Sequence, residues 1–394
     1  MRWKNPGHEY DNIGYLLKDA KDVFLWGIGG YAEELLNLFT MLGDKIPWKI
    51  HLIDSNEEKQ AKGYMGLQIL SPQSFFDLKK SDYFVIACPE GQSGDEIQNI
   101  LKQHDIPSNL IFSGSYFLYS YLPIYFIYNR NMVFFTSESI LCSTVCNLNC
   151  RDCLNFTPYI KKHCTDDLKS LENDVDIFFN AVDLIYRFQI TGGEPLLYSN
   201  LIPFIQYIHN NYGKKILRLE MVTNGTVKLS DELCHTLKEC NVYVFLDDYR
   251  LSIPDSAETY SNVRKKLDES NIKYCDNFVE NWICEYPPKD TKQLSTVELQ
   301  SKFISCHNPW STLREGKISA CNYAGYAAKA EICMDEPNEY FDLNTYSTDQ
   351  KKELIEFRTG YNQKGYVNFC KVCRGWTSIN HEYTKPAIQA PRKK

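Results

Sequence analysis

The chain has 394 residues, room for roughly two or three domains, and its 43% hydrophobic and 24% charged residues are the composition of a globular protein. A net charge of −7 without a basic block argues against a nucleic-acid backbone or an anionic membrane surface as partner. No apolar run is long enough to span a bilayer: the nearest, residues 116–128, is short and broken by Pro123.

Fifteen cysteines is a high count. The N-terminal residues are polar and contain no apolar signal region, so a reducing cytoplasm is the expected compartment and metal ligation the expected use of the thiols.

The predicted elements begin with a buried strand, Asp22–Trp26. It runs into Gly27-Ile28-Gly29-Gly30-Tyr31-Ala32 and an apolar periodic helix. A second strand over 48–53 ends at Asp54. This G-x-G-x-x-A turn between strand and helix permits a tight bend at Gly27 and Gly29 and close approach of a diphosphate, with Asp54 placed for ribose hydroxyls. A third strand over 83–88 and a helix over 95–103 complete a small doubly wound unit. It is too short for a full dinucleotide domain, and an empty scaffold reads as well as a ligand site. The unit resembles the N-terminal Rossmann-like domain of sugar-modifying acyltransferases, whose pocket takes a nucleotide sugar.

From about residue 134 strands and helices alternate. A strand over 137–141 leads into Cys146-Asn-Leu-Asn-Cys150-Arg-Asp-Cys153. A helix is expected over 166–186, then a strand over 188–190 ending in Thr191-Gly192-Gly193-Glu194-Pro195. A helix over 201–211 precedes a strand over 216–222, which ends at Thr223-Asn224-Gly225. A helix over 231–240 and a strand over 242–246 lead to Asp247-Asp248-Tyr249-Arg250. Three thiols within eight residues can hold three irons of a [4Fe–4S] cluster; the spacing by itself also admits zinc.

The C-x₃-C-x₂-C loop, the Gly-Gly-Glu-Pro stretch and the Thr-Asn-Gly strand end, in this order, resemble the radical S-adenosylmethionine superfamily. The resemblance implies a partial (β/α)₆ barrel within an α/β protein. Cys146, Cys150 and Cys153 would hold a [4Fe–4S] cluster. Gly192, Gly193, Glu194 and Pro195 would bind the amino group of S-adenosylmethionine. Glu220, Thr223 and Asn224 would lie near its nucleoside. In the family, one electron cleaves the sulfonium and a 5′-deoxyadenosyl radical takes a substrate hydrogen. The chain departs from the family at Asp152, where an aromatic residue is frequent. Polar residues at strand C-termini are where parallel barrels place their sites, which makes Asp248, Tyr249 and Arg250 candidates for substrate binding or proton transfer. A surface turn with a local ion pair is the alternative for these three.

Further on, Cys306 and Cys321 bracket a predicted hairpin at Gly316, and Cys370-x₂-Cys373 follows. Alone, four such cysteines read equally as a zinc ribbon. Beside the preceding motifs they resemble the twitch form of SPASM-like domains, which holds one auxiliary [4Fe–4S] cluster with no iron left open. His163 and His307 are near these cysteines and are expected to be structural. The expected domains are 1–130, 131–290 and 291–394.

A fully ligated cluster suits electron transfer, and twitch-bearing relatives include dehydrogenases acting on an aminocyclitol alcohol. Oxidation or epimerisation of a small, polar, sugar-like or nucleotide-sugar substrate is therefore expected, with a flavodoxin or ferredoxin as reductant. Two alternatives stand beside it. One is a peptide maturase making thioether or carbon–carbon crosslinks. The other is a non-catalytic, zinc-stapled protein that binds a nucleotide sugar.

Overall fold

The computed structural model describes all residues except 288–292, 307–309, 377–378 and 392–394. His307 lies outside the described residues. The chain forms two compact units, Tyr10–Phe134 and a second made of Met1–Glu9 with Phe135–Lys394.

The first unit is built on a five-stranded sheet: β1 (Asp22–Trp26), β2 (Lys49–Ile53), β3 (Ile69–Leu70), β4 (Tyr83–Ala87) and β5 (Ile111–Ser113). Their order is β3-β2-β1-β4-β5 and every pairing is parallel. Such strands are buried on both faces, which explains the unbroken apolar run Val23-Phe24-Leu25-Trp26. Phe24, Trp26, Ile53, Phe75, Val85 and Leu101 form one core cluster. The order reverses between β1 and β4, and the crevice at their C-terminal ends is the topological switch point.

The second unit carries β6 (Phe134–Leu141), β7 (Leu184–Thr191), β8 (Ile216–Thr223), β9 (Tyr243–Asp247), β10 (Tyr274–Asn277), β11 (Trp282–Ile283), β12 (Thr312–Arg314), β13 (Lys317–Ser319), β14 (Tyr340–Asp342) and β15 (Tyr383–Thr384). Eight of these form one open sheet in the order β10-β9-β8-β7-β6-β12-β13-β14. β7 to β10 pair in parallel, and helices connect them, as in a partial barrel that does not close. β12 extends the sheet parallel to β6, and β13 and β14 add an antiparallel edge. The hairpin between β12 and β13 turns at Glu315 and Gly316 with φ of 55° and 68°, the two positive values of a tight hairpin turn.

Several boundaries shift by a few residues, and one helix differs most from expectation. The helix predicted over 166–186 spans only Leu168–Ala181. Asp167 caps its start by accepting from Lys169 N and Ser170 N, and Val182 leaves the helical region at φ −103°, ψ 122°. Leu184, Ile185 and Tyr186 then belong to β7, where Ile185 pairs with Ile216. Burial at Val182 and Ile185 fits a helix stripe and a strand equally, so the pattern overran.

The first nine residues are tied to the second unit. Glu356, 1% exposed, accepts from Trp3 Nε1 at 2.7 Å, from Gly7 N at 2.7 Å and from Glu9 N at 2.9 Å. Among the described residues no helix is long and apolar enough to cross a membrane.

Candidate functional site

The cysteine loop follows β6 and is clamped by the turn after β7. Gly193 N donates to Ser143 O at 2.7 Å and Glu194 N to Val145 O at 2.9 Å. A Cβ at Gly192 would stand 2.8 Å from Ser143 O, and one at Gly193 would stand 2.3 Å from Val145 O. Both glycines are therefore required by the approach of two backbones. Asn155 Nδ2 donates to Gly192 O at 2.5 Å, adding a second tie to the same turn.

Glu194 has no exposed surface and joins the ends of β7 and β8. Its carboxylate accepts from Thr223 Oγ1 at 2.8 Å, Asn224 N at 2.8 Å and Leu196 N at 3.0 Å. Burial raises its carboxyl to about 7, against the pull of these donors. Asn224 in turn reaches the cysteine loop, donating to Asn147 Oδ1 at 3.0 Å and lying 3.9 Å from Cys146 Sγ. Thr226 Oγ1 accepts from Asn147 Nδ2 at 2.6 Å and donates to Asn224 Oδ1 at 2.6 Å, closing the network.

Each of the three thiols has a polar neighbour. Leu148 N donates to Cys146 Sγ at 3.4 Å, Gln389 Nε2 to Cys150 Sγ at 3.4 Å, and Thr157 Oγ1 lies 3.3 Å from Cys153 Sγ. The thiols of Cys146, Cys150 and Cys153 lie within mutual electrostatic range. His163 Nδ1 is 2.8 Å from Thr144 O, a structural contact at the loop's base.

Other candidates take different positions. Asp248 and Arg250 are paired with each other, with Arg250 Nε donating to Asp248 Oδ1 at 2.9 Å and Nη2 to Oδ2 at 2.7 Å, and the guanidinium stacks 4.4 Å from the Tyr260 ring. They form the local ion pair of a turn. The group beside Tyr249 is Asp247, whose carboxylate accepts from Tyr249 Oη at 2.8 Å and from Asn277 Nδ2 at 2.6 Å. Burial raises its carboxyl to about 6. The Tyr249 ring packs edge-on against Trp282 at 5.4 Å and lies within electrostatic range of Cys150 and Cys153. Side-chain alternation along β9 separates Asp247 from Asp248 and is the signal that would have found it.

Glu220, also without exposed surface, sits in a buried ion network rather than at an open edge. It accepts from Arg187 at 2.8 and 3.2 Å, from Arg218 at 2.6 Å and from Gln189 at 3.1 Å. Arg187 also stacks over Trp310 at 4.7 Å.

The second set of cysteines comes together from three segments. Cys321 lies within electrostatic range of Cys306 and Cys370, and Cys373 within range of Cys321 and Cys370. Trp376 N donates to Cys306 Sγ at 3.3 Å and Gly375 N to Cys373 Sγ at 3.1 Å. Phe156, Tyr323, Tyr326, Val367 and Phe369 belong to an apolar core against which Cys321, Cys370 and Cys373 pack. A buried carboxylate that sequence gave no reason to single out, Glu285, is 4% exposed and lies within range of Cys306, Cys321 and Cys373. Among the described residues no three His, Cys, Asp or Glu side chains converge on a single-ion site, a convergence that a cluster does not need because each thiolate takes its own iron.

In the first unit, a cavity of about 870 Å³ occupies the switch point. Gly29 and Gly30 open onto free space at φ of 147° and 51°. Asp54 is held by the turn itself: it accepts from Ile28 N at 2.8 Å, Asn56 N at 2.9 Å and Lys59 Nζ at 3.0 Å. Glu34, Glu90 and Glu96 also line the cavity.

Residues 140–275 match the family model described as the radical SAM superfamily. The chain is 32% identical over 118 residues to an uncharacterised protein of Methanocaldococcus jannaschii, covering 30% of this chain and 40% of that one. It is 36% identical over 99 residues to the GTP 3′,8-cyclase of Alkaliphilus oremlandii, covering 25% and 29%. The chain thus spans well under half the length of either relative. Among solved structures, BtrN in complex with AdoMet and 2-DOIA aligns at TM-score 0.39 and 16% identity, covering 66% of this chain and 97% of that one. Native anSMEcpe with bound AdoMet and the Cp18Cys peptide aligns at 0.36 and 14%, covering 48% and 74%. The match over residues 140–275 spans both the cysteine loop and the turn that clamps it, and marks this segment as a domain of the radical SAM superfamily, whose members use a [4Fe–4S] cluster and S-adenosylmethionine.

Proposed function

We propose that this chain is a two-cluster radical enzyme that oxidises or epimerises a carbon bearing a hydroxyl or amine in a polar, sugar-like substrate. The observation that carries the reading is the separation of seven thiols into a set of three and a set of four, each on its own loops and each with N–H donors on its sulfurs. Partly buried thiols grouped in this way, among amide donors, fit iron–sulfur ligation. Cys146, Cys150 and Cys153 would hold the first cluster, and Cys306, Cys321, Cys370 and Cys373 the auxiliary one. When bound, the three-cysteine cluster with S-adenosylmethionine supplies a hydrogen-abstracting carbon radical, and the four-cysteine cluster supplies an electron acceptor.

The chain's own residues have the remaining tasks. Gly192 and Gly193 fix the cysteine loop against β7, and Glu194 holds Thr223 and Asn224 at the end of β8. The turn fixed in this way would meet the amino group of S-adenosylmethionine. Asp247 is the candidate proton acceptor at the strand end. Its carboxyl, raised to about 6, is matched to taking a proton near neutrality, and Tyr249 is oriented by it.

The cavity of the first unit is of a size that suits a small ligand. Its carboxylates Glu34, Asp54, Glu90 and Glu96 outnumber the single ammonium of Lys59, which favours a hydroxyl- or amine-bearing ligand over a diphosphate. The reductant is a flavodoxin or ferredoxin.

The test is anaerobic reconstitution followed by iron and sulfide analysis and a 5′-deoxyadenosine assay with dithionite. The expected result is about eight irons per chain and 5′-deoxyadenosine formation. Replacing Cys146, Cys150 and Cys153 with Ala should abolish cleavage; retained cleavage would refute the assignment.

A further inference from the structure

The cysteine loop is held from a second direction, by a segment far away in sequence. Residues 387–391 run along it: Arg151 N donates to Ile388 O at 2.7 Å, and Ala390 N to Asn149 O at 2.7 Å. Asn149 Nδ2 donates to Ala390 O at 3.0 Å, and the Arg151 guanidinium to Thr384 Oγ1 at 2.7 Å. β15, which contains Thr384, is itself anchored by antiparallel pairing with β11.

At the centre of this strap is Gln389. Its Oε1 accepts from Asn149 N at 2.7 Å, and its Nε2 donates to Ala387 O at 2.7 Å and to Cys150 Sγ at 3.4 Å. Both ends of the carboxamide are engaged, so the N–H that faces the sulfur is fixed. Cys146 by contrast receives a backbone donor from its own loop, Leu148 N. Gln389 is thus a long-range side-chain donor on the loop, 239 positions from the thiol it meets.

We propose that Gln389 is a positioning residue that holds an amide donor on the Cys150 sulfur and sets the reduction potential of the cluster bound there. The inference rests on the reading of Cys146, Cys150 and Cys153 as cluster ligands. A hydrogen bond to a ligating sulfur draws electron density from the thiolate and stabilises the reduced cluster, so the potential rises. Cleavage of a sulfonium needs a strongly reducing electron, and the strap decides how readily a biological reductant delivers it.

Gln389→Glu keeps the acceptor for Asn149 N–H and turns an oxygen, in place of the N–H, toward the sulfur. With the auxiliary cysteines in place, the expected outcome is unchanged iron and a more negative midpoint in an EPR-monitored redox titration. Loss of one charge-assisted bond lowers the reduction equilibrium by up to about tenfold, or about 59 mV for a one-electron couple. Full iron with an unmoved potential would overturn the inference. A second measurement uses the unaltered chain carrying ¹⁵N in its glutamine side chains. Pulsed EPR of the reduced three-cysteine cluster should show a ¹⁵N coupling, and its absence would overturn the inference even where the variant loses iron. A parent chain that binds no iron at the three cysteines would instead remove the cluster reading, and this inference with it.

Discussion

Substituting Gly193 by Ala tests the clamp on the cysteine loop directly. The added methyl would stand 2.3 Å from Val145 O, 2.5 Å from Val145 C and 2.8 Å from Thr144 O, all backbone atoms that cannot rotate away. Relief requires the loop to withdraw by about 1 Å, which breaks the bonds from Gly193 N to Ser143 O and from Glu194 N to Val145 O. Each bond contributes about 1 kcal/mol, and overpacking costs about 1–3 kcal/mol more. The docked loop is then disfavoured by about 3–5 kcal/mol, a factor on the order of 10² to 10³. Iron per chain after anaerobic reconstitution should fall from about eight to about four, with 5′-deoxyadenosine formation lost, because the four-cysteine set is untouched. Gly213→Ala is the control: its φ is −54° and the new Cβ would meet nothing closer than His209 Nδ1 at 3.5 Å. A Gly193→Ala chain that keeps its full iron and its cleavage yield would refute the reasoning.

Three further outcomes are expected. Replacing Cys370 and Cys373 together with Ala should remove about four irons while sulfonium cleavage persists, as read by iron analysis and product chromatography. Glu220→Gln removes the charge that Arg187 and Arg218 share and should cost about 3–5 kcal/mol, visible as a lowered thermal midpoint, with the KM for S-adenosylmethionine unchanged; a raised KM at unchanged stability would return Glu220 to the nucleoside. Glu138, fully buried and bonded to Ser311, has its carboxyl raised by burial to about 7 from 4.5, so its folded form holds a proton that the unfolded chain releases. Stability should therefore fall as pH rises from about 4.5 to 7, by on the order of 3 kcal/mol, and Glu138→Gln should flatten that slope in thermal midpoints taken at pH 5 and pH 8.

The parts of the site legible in sequence are those made by backbone and short spacing. Cys146, Cys150 and Cys153 announce themselves by proximity along the chain, and Gly192-Gly193 by the resemblance of its stretch to a family motif, while the approach of two backbones that requires both glycines emerges only in the fold. The hairpin at Gly316 was equally plain, because Glu315-Gly316 stands between Leu313-Arg314 and Lys317-Ile318, two short stretches that a tight turn pairs. What escaped were choices made by partners distant in sequence. Asp247 and Asp248 are adjacent acids, and only the register of β9 decides which meets Tyr249 and which is taken by Arg250. Glu220 reads as a strand-end acid until Arg187 on the neighbouring strand claims it. Asp54 has the position of a ribose acceptor, yet its oxygens are spent on Ile28, Asn56 and Lys59. Gln389 lies in a tail segment with no motif of its own, and nothing short of the folded loop reveals its contact with Cys150.

The anchoring of residues 1–9 on Glu356 bears on the order in which the protein is made. Tyr10–Phe134 has all of its internal partners once residue 134 has left the ribosome, and it can fold there as a unit. Residues 1–9 precede it in the chain but must wait for Glu356, Gly360 and Asn362. At ordinary elongation rates that delay is on the order of tens of seconds. During it residues 1–9 stay undocked while Tyr10–Phe134 is already able to fold, so docking of this segment marks that synthesis has passed Asn362.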